Sequence, residues 1–549
     1  MEELARFALV GTAKLVAAST SNAEHPADAL VAKLGGEDRE HAFLLQAGAR
    51  AAFAQCGRVA VEGVVPPEPC PPESRPVAGP RLADILQSVL AADDKGLIVD
   101  ILGELEAAGL LLPPELLPQV FAKIGGPERA RLLAVVGERG RWLGQFNPDW
   151  NWVARGAAAT SGVDRQAIAR QWEEGGIHER RRAIEALRGS DPAEARALVQ
   201  AAFEKEKAEH RTRLVESLNV GLSKDDEPFL ESCLDDRSDQ VRRAAAVLLA
   251  RVPGSALAER MRTRAEAMLS PNAIGAKLKS VSCNPPEEID KDWGRDGVPL
   301  KPPASSGKRA AWAEAVLAAV PPSVWGERFD AEPARLVAAV QSDDFAQAVL
   351  AGWTQAAAAF ASNDSASAQW LRPLWDFWAS VAQRSRGNEQ DAAAGHAQTL
   401  LRVMSSAEAE AAVLPALRTA ASADGLIALG YLQLLPRPWS AAFGRAYLAT
   451  LQDALDHRLR TTDQGAVDYL IYQWISTFPV TGRALPREVL ADALAVWKRV
   501  EAQTDAPPIR VLTREIDRFI ETIQLRQRLC NAVVDGTSRP DVASSAAGS

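Results

Sequence analysis

Apolar residues recur along most of this chain at the spacing of an α-helix. The segment Arg81–Asp94 is typical, because its apolar positions follow the i, i+3, i+4, i+7, i+8 pattern that lines one helix face. These positions are Leu82, Ile85, Leu86, Val89 and Leu90. Alternating runs of β-branched and aromatic residues are nearly absent, and no Asn-Gly or Asp-Gly turn separates two such runs. The pattern predicts an all-α protein.

Between Glu179 and Arg251 the helical pattern repeats. Three segments align with a period of about thirty residues: ERRRAIEAL from Glu179, EHRTRLVESL from Glu209 and DQVRRAAAVLL from Asp239. The intervening stretches, DPAEARALVQAAFEKE and KDDEPFLESCLDD, each predict a second amphipathic helix. Helix pairs at a fixed period stack into a solenoid, so we expect an α-solenoid of stacked helix pairs here.

Proline-rich and polar clusters divide the chain, because neither continues a helix. After the second cluster the helical pattern returns, with tryptophans set in apolar stripes. These are Trp312, Trp353, Trp370, Trp375, Trp378, Trp474 and Trp497. The predicted parts are an N-terminal helical segment (1–63), a proline-rich linker (64–80), helical repeats (81–270), an irregular proline-rich connector (271–308), a C-terminal helical domain (309–530) and a disordered tail (531–549).

Composition excludes several classes of protein. The chain has 549 residues, of which 47% are hydrophobic and 24% charged, as in ordinary globular proteins. Its net charge of −9 argues against a general nucleic-acid binder. No apolar run reaches the roughly 18 residues of a membrane span. The five cysteines are sparse and form no CxxC pair, and MEEL lacks the positive charge of a signal peptide, so we expect a cytoplasmic protein.

Familiar catalytic motifs are absent from the sequence. There is no GxxxxGK[ST], no GxGxxG after a strand, no HExxH and no GxSxG. The run Ser305–Lys308 has the end of a phosphate loop but lacks its first glycine. The six histidines are isolated from one another. The sequence therefore predicts no catalytic residues, no cofactor, no metal site and a protein that is not an enzyme.

The stretch GERGRWLGQFNPDWNWV, Gly137–Val153, contains three tryptophans. Tryptophan and arginine are frequent hot-spot residues, so this stretch is a candidate platform for a partner. Packing of the tryptophans against neighbouring helices is the alternative, and the cost of leaving large apolar side chains in water favours it. The candidate interaction residues are Arg139, Trp142, Trp150 and Trp152.

Arginines cluster in the repeated segments. Arg181, Arg213 and Arg242 are candidates for a basic stripe that could meet phosphates or an acidic partner. Glutamates interleave with these arginines, which favours a salt-bridged, solvated face instead.

The segment LDDRSDQVRRAAAVLLARV, Leu234–Val252, resembles a HEAT repeat. The resemblance places an Asp, a Val-Arg pair and small apolar residues at the start of the second helix. It implies that the Asp and the Arg form a ladder between neighbouring repeats. The matching positions are Asp239, Val241, Arg242, Ala245 and Leu248.

Several short blocks, GERGRWL with NPDW, PPEEIDKDWGRDGV, AVPPSVW and LLPRPWS, occur in order from about Leu97 to Trp439. Together they resemble a bacterial family of HEAT-like proteins. Genes of that family are often found beside those of MoxR-type AAA+ ATPases and von Willebrand factor A domain proteins. The resemblance implies an accessory or adaptor role in a chaperone-like ATPase system, and it carries no catalytic residues.

Two classes of function remain in view. The first is a non-enzymatic scaffold that binds protein partners. The second is a HEAT-like DNA glycosylase, for which Asp149 beside Trp150 and Trp152 is the tempting constellation, although the net charge makes nucleic acid an unfavourable partner. A HEAT-type lyase acting on a bilin has only an analogy of fold to support it.

Overall fold

The computed structural model describes residues 39–56, 67–125, 128–154, 156, 165–274, 277–302, 307–419, 427–461, 469–501 and 509–537. The chain divides into two compact units, Met1–Cys70 and Pro71–Ser549. In the first, helix α1 spans Arg39–Cys56. No helix in the described ranges is both long and apolar enough to cross a lipid bilayer.

The second unit begins with an extended, proline-rich segment. The Ala78 N–H donates to the Leu111 carbonyl and the Leu111 N–H donates to the Pro76 carbonyl, both at 2.8 Å. This part of the segment predicted as a linker is therefore hydrogen-bonded to the chain that follows. The helices after it are α2 (Pro80–Ala91), α3 (Lys95–Ala107), α4 (Leu117–Lys123), α5 (Arg129–Val135) and α6 (Gly137–Gly144).

Helix α2 shows how the sequence pattern places a buried face. Pro80 stands in the first turn, where its missing N–H would have no partner inside the helix. Of the five apolar positions predicted to share a face, Ile85 is half-buried and the other four are buried. The buried four are Leu82, Leu86, Val89 and Leu90.

The middle of the unit contains the repeated segments. Helices α8, α10 and α12 carry them, and α8 packs against α10 while α10 packs against α12. Helix α9 packs on α8, and α11 packs on α12. These helices are α7 (Arg165–Glu174), α8 (Ile177–Arg188), α9 (Pro192–Phe203), α10 (Ala208–Ser217), α11 (Glu227–Cys233), α12 (Asp239–Ala250) and α13 (Ala256–Met268).

A β-hairpin lies where the sequence predicted an irregular connector. Strands β1 (Leu269–Ile274) and β2 (Lys277–Cys283) pair antiparallel, with a bulge between Asn272 and Ala273. Pro271 in β1 and the bulge break the alternation that identifies a strand in a sequence. Packing of β2 on the later helix Pro333–Val340, which no local pattern reveals, helps to hold the hairpin.

The rest of the described chain is helical. Trp312, Trp353, Trp370, Trp375, Trp378 and Trp474 are buried, as their apolar stripes predict, whereas the Trp497 side chain lies outside the described residues. The helices are α14 (Lys291–Arg295), α15 (Lys308–Ala318), α16 (Ser323–Phe329), α17 (Pro333–Val340), α18 (Ala346–Phe360), α19 (Ser365–Ala368), α20 (Leu371–Arg384), α21 (Asn388–Leu401), α22 (Ser406–Thr419), α23 (Ile427–Tyr431), α24 (Ala441–Thr461), α25 (Tyr469–Ser476), α26 (Phe478–Ala484), α27 (Leu490–Glu501) and α28 (Ile509–Thr537).

Helix α28 joins two hydrophobic cores. Its Phe519 and Ile523 belong to the larger core, which begins at Ile184, and its Leu529 and Ala532 belong to the smaller core built from residues 78–153. The last described helix therefore packs against α2 and α3. It also continues to Thr537, although disorder was predicted from residue 531, because its apolar face extends through Ala532.

Candidate functional site

Helix α6 begins the tryptophan-rich stretch, and Glu73 holds its N-terminus. The Glu73 carboxylate accepts hydrogen bonds from the backbone N–H groups of Glu138 (2.7 Å) and Arg139 (2.9 Å). Such N–H groups have no acceptor inside the helix, and a carboxylate also complements the helix dipole. Gly137 has φ +64°, and a Cβ there would lie 2.4 Å from Glu73 Oε2, so the contact requires glycine.

Trp150 and Trp152 pack edge-to-face on Phe121. Their ring centroids lie 5.4 and 6.1 Å from that of Phe121. The Arg129 guanidinium lies 4.5 Å from the centroid of the Trp152 ring, within cation–π range. Both tryptophans are half-buried and pack against the smaller core. Packing thus accounts for part of each indole, and the remainder lies on a surface.

Trp142 and Arg139 belong to a different place. The Trp142 ring packs against Phe146, with centroids 4.7 Å apart, and is half-buried. Phe146 and Arg139 are exposed. The structure therefore separates these two candidates from Trp150 and Trp152.

A cavity of about 870 Å³, which we call the basic cavity, brings Trp150 and Trp152 together with distant residues. Phe121 joins the two tryptophans in its wall. Only two carboxylate residues, Glu128 and Asp149, line it within the described chain. Its cationic residues are Lys95, Lys123, Arg129, Arg437 and Arg483.

Two of the five cations have carboxylate partners. Lys123 Nζ lies 2.7 Å from Asp93 Oδ1, and Arg483 Nε lies 3.1 Å from Asp100 Oδ2. Among the described residues, Lys95, Arg129 and Arg437 make no side-chain hydrogen bond or ion pair. These three side chains are exposed. Asp93 attracts Lys95 and Asp100 attracts Arg437, but neither carboxylate forms an ion pair with them.

Arg437 reaches the cavity from a proline-rich turn between α23 and α24. Trp439, two residues further on, is buried, and its backbone N–H donates to the Ala484 carbonyl at 2.8 Å. That bond fixes the turn beside α26, which carries Arg483. Burial, together with the nearby Arg483 charge, lowers the pKa of Arg437.

Asp100 sits behind the cavity wall on α3. Burial raises the pKa of its carboxyl, although the charges of Arg483 and Arg526 pull that pKa down. The charge of Arg437 also pulls this pKa down, which shows that Asp100 attracts the cavity arginines.

A second group of arginines forms a ladder between the repeated segments. Arg180, Arg211 and Arg242 stand at 31-residue intervals on α8, α10 and α12, and we call them the arginine ladder. Arg211 donates two hydrogen bonds to the Asp236 carboxylate, both at 2.8 Å. Arg180 donates one hydrogen bond, from Nη1, to the Glu206 carboxylate. Each of these two arginines thus ties its helix to the loop before the next helix of the ladder.

Arg242 ends the ladder differently. It donates to the carbonyls of Asp236 (2.6 Å) and Gly294 (3.1 Å) and to the carboxylate of Asp239 on its own helix. The carboxylate that bridges to the preceding helix is Asp236, not the Asp239 suggested by the HEAT resemblance. Asp236 lies in the loop, where the guanidinium of Arg211 can reach it.

Arg188 and Asp226 form a fully buried ion pair between α8 and the turn before α11. The guanidinium donates to both carboxylate oxygens, at 2.9 and 2.8 Å, and neither side chain is exposed to solvent. Burial alone would raise the pKa of Asp226, but hydrogen bonds from Arg188 and Arg196 outweigh it and lower that pKa. Arg188 also donates to the carbonyls of Pro192, Leu218, Val220 and Gly221.

Arg181 and Arg213 have partners on their own helices. Arg181 Nε donates to Glu185 at 2.7 Å, and Arg213 Nη2 donates to Glu209 at 2.8 Å, each four residues away. Arg213 also lies 3.0 Å from His178 Nε2. This is the salt-bridged, solvated arrangement that the interleaved glutamates favour.

An open groove of about 660 Å³ lies along α10 and α12, and we call it the α10–α12 groove. Ala244, Val247 and Leu248 give it an apolar floor, and Val247 is 60% exposed. Glu216 is the acidic residue in its lining. The cations are Arg181, Arg243 and Arg251.

Two observations bear on chemical reactivity in the described residues. No three His, Cys, Asp or Glu side chains there are grouped to hold a metal ion. Burial raises the pKa of the Cys233 and Cys283 thiols to about 12, which keeps both protonated and poorly nucleophilic.

The sequence did not predict the basic cavity, and of the three candidate arginines in the repeated segments only Arg242 belongs to the ladder. The 31-residue recurrence of Arg180, Arg211 and Arg242 was a usable signal for the ladder, since equal spacing places equivalent side chains. Lys95, Arg437 and Arg483 come from distant segments, and no local pattern marks them as neighbours.

Comparison with known proteins gives a family without an assigned activity. No curated protein shows significant similarity to the chain. A family model described as "Family of unknown function (DUF5691)" matches residues 3–533. The chain therefore belongs to the DUF5691 family.

Proposed function

We propose that this protein is a non-enzymatic, HEAT-like helical scaffold that binds a protein partner in the α10–α12 groove. The observation that carries the proposal is the apolar floor of the groove, where Val247 is 60% exposed in the middle of a helix whose other face is buried. Exposed apolar surface bordered by polar residues is typical of interaction sites. A solenoid of helix pairs offers such surfaces to extended partners.

The charges of the groove indicate the kind of partner. Arg243 has no hydrogen bond or ion pair among the described residues, and Arg251 bonds only the neutral amide oxygen of Asn219. Glu216 opposes these arginines alone in the lining. An amphipathic partner segment with acidic residues would complement both the apolar floor and the cations.

The helix pairs and the ladder support a HEAT-like interpretation. Helices α8 to α13 follow one another as three pairs, and the ladder joins neighbouring pairs at a regular interval. The sequence resemblance suggests the candidates for the partner, a MoxR-type AAA+ ATPase and a von Willebrand factor A domain protein. An adaptor acts through binding surfaces of the kind that the α10–α12 groove offers.

The test uses purified full-length protein and the two candidate partners from the same genome. Biolayer interferometry at physiological salt should detect binding to at least one of them. Val247→Asp puts a carboxylate on the floor of the groove and should abolish binding, and Arg243→Glu should weaken it about tenfold or more by reversing a charge.

Val403→Asp is the matched control, because Val403 is also an exposed valine but lies outside the groove. It should bind the partner as the parent protein does. Binding by neither candidate, or equal loss in Val247→Asp and Val403→Asp, would contradict the proposal.

A further inference from the structure

The basic cavity is lined by five cationic and two acidic residues, so its lining carries an excess of positive charge. Lys95, Arg129 and Arg437 make no ion pair with the described residues, although Arg437 and Arg483 are close enough to repel each other. Like charges that are held together in a concave site raise the local concentration of anions. The arrangement therefore favours an anionic ligand.

Another part of the cavity wall is aromatic. Trp150 and Trp152 line the cavity while part of each ring packs on the core, so both indoles are held in place by Phe121. Rigid aromatic side chains bind planar rings by stacking, at little entropic cost. The cavity volume of about 870 Å³ lies within the range of small-molecule sites.

Gly96 leaves space for one of the cations. A Cβ at Gly96 would lie 1.6 Å from Arg483 Nη1, so the guanidinium can lie against α3 only because position 96 lacks a side chain. Asp100, one turn further along α3, holds Arg483 from the other side. The cation is thus placed by two features of the same helix.

From this geometry we propose that the basic cavity binds a small phosphorylated compound with a planar ring, the chemical class of nucleotides. Arg437, Lys95 and Arg483 hold the phosphates, and Trp150 or Trp152 stacks on the ring. The site is separate from the α10–α12 groove, since the two share no lining residue. The proposal does not depend on the scaffold function.

Isothermal titration calorimetry of the full chain tests this proposal. The ligands are the four ribonucleoside triphosphates, adenosine, which lacks phosphate, and inorganic phosphate. At least one triphosphate should bind tenfold or more tightly than either adenosine or phosphate, because only it engages both walls. Arg437→Ala should weaken that binding about tenfold, as expected for one charge-assisted contact. Arg437 is exposed and makes no hydrogen bond or ion pair with the described residues, so its removal should leave the chain folded.

Two glycines on α3 offer a test of whether the position of Arg483 matters for binding. Gly96→Ala should displace Arg483 and weaken nucleotide binding, whereas Gly103→Ala, whose Cβ would meet its nearest atom at 3.4 Å, should not. Arg243→Ala, in the α10–α12 groove, should also leave nucleotide binding unchanged. Failure of all four triphosphates to bind would overturn the proposal, as would tighter, cavity-dependent binding of a single-stranded oligonucleotide.

Discussion

The arginine ladder and the basic cavity are both built from cations, but three of the five cavity cations lack the bonded carboxylate that Arg180 and Arg211 have. Arg180 and Arg211 find carboxylates 26 and 25 residues later in the chain, in the loop that each repeat places beside them. In the cavity, Lys95 and Arg437 come from distant segments of the second unit, and neither forms an ion pair with a described carboxylate. Arginines that are paired with carboxylates stabilise the fold, whereas cations that make no ion pair are available to a ligand.

The difference also shows in the carboxylates. Asp236 receives two hydrogen bonds from Arg211, and although burial alone would raise its pKa, those bonds lower it. Asp100 lies among several arginines but lacks comparable hydrogen bonds, and burial raises its pKa. Geometry, more than the number of nearby charges, decides which carboxylate is stabilised.

The largest expected effect is at the buried pair between α8 and α11. Arg188→Ala should lower the free energy of unfolding by about 3–5 kcal/mol, because it leaves the Asp226 charge buried with a single arginine. Urea denaturation measures the loss. Arg181→Ala on the same helix removes a surface pair and should change stability by less than about 1 kcal/mol. Equal losses of stability in Arg188→Ala and Arg181→Ala would show that burial does not make one ion pair more important than the other.

A smaller effect is expected from the aromatic wall of the basic cavity. Trp150→Ala should lower the free energy of unfolding by about 2 kcal/mol, less than a fully buried tryptophan, because the ring is only half-buried. Thermal or urea unfolding gives the value. A double-mutant cycle with Phe121→Leu should show a coupling of about 1 kcal/mol for the edge-to-face contact. No coupling would mean that the two rings are placed independently.

Acid should act on the two carboxylates in opposite directions. The folded pKa of Asp236 lies below the ordinary 3.8, so its stabilising contribution is present above that value and is lost as pH falls through the folded pKa. The folded pKa of Asp100 lies above 3.8, so the cost of its charge is relieved as pH falls towards 3.8.

Stability curves between pH 7 and pH 3 check these signs. Asp236→Asn should make the free energy of unfolding fall less steeply with acid. Asp100→Asn should make it fall more steeply, since the variant lacks the carboxylate whose protonation stabilises the folded protein. The same sign of change in both variants would refute the contrast.

The smallest expected effect on stability comes from removing a cation of the basic cavity that makes no ion pair. Arg437→Ala should change the free energy of unfolding by no more than about 0.5 kcal/mol, since it removes no hydrogen bond or ion pair, and the lost attraction to Asp100 is offset by relief of the repulsion from Arg483. Arg211→Ala, which removes a bidentate pair with little exposure, serves as the comparison and should cost several times more. A large loss from Arg437→Ala would mean that the cavity cations are structural.

The sequence was most informative where a pattern is local. The i, i+3, i+4 stripe of α2 and the thirty-residue recurrence of α8, α10 and α12 predicted helices at the observed places. The hairpin was missed because Pro271 interrupts its first strand. The basic cavity could not be predicted, because Lys95 and Arg483 meet only through the packing of α3 with later helices.

Helix α28 has a consequence for the order of events during synthesis. Leu529 and Ala532 complete a core whose other members lie between residues 78 and 153. At common ribosomal speeds the earlier helices leave the ribosome on the order of tens of seconds before their last partner. During that interval the parts of α2 and α3 that α28 later covers are exposed, so the nascent chain presents an apolar surface for chaperones that the finished protein hides.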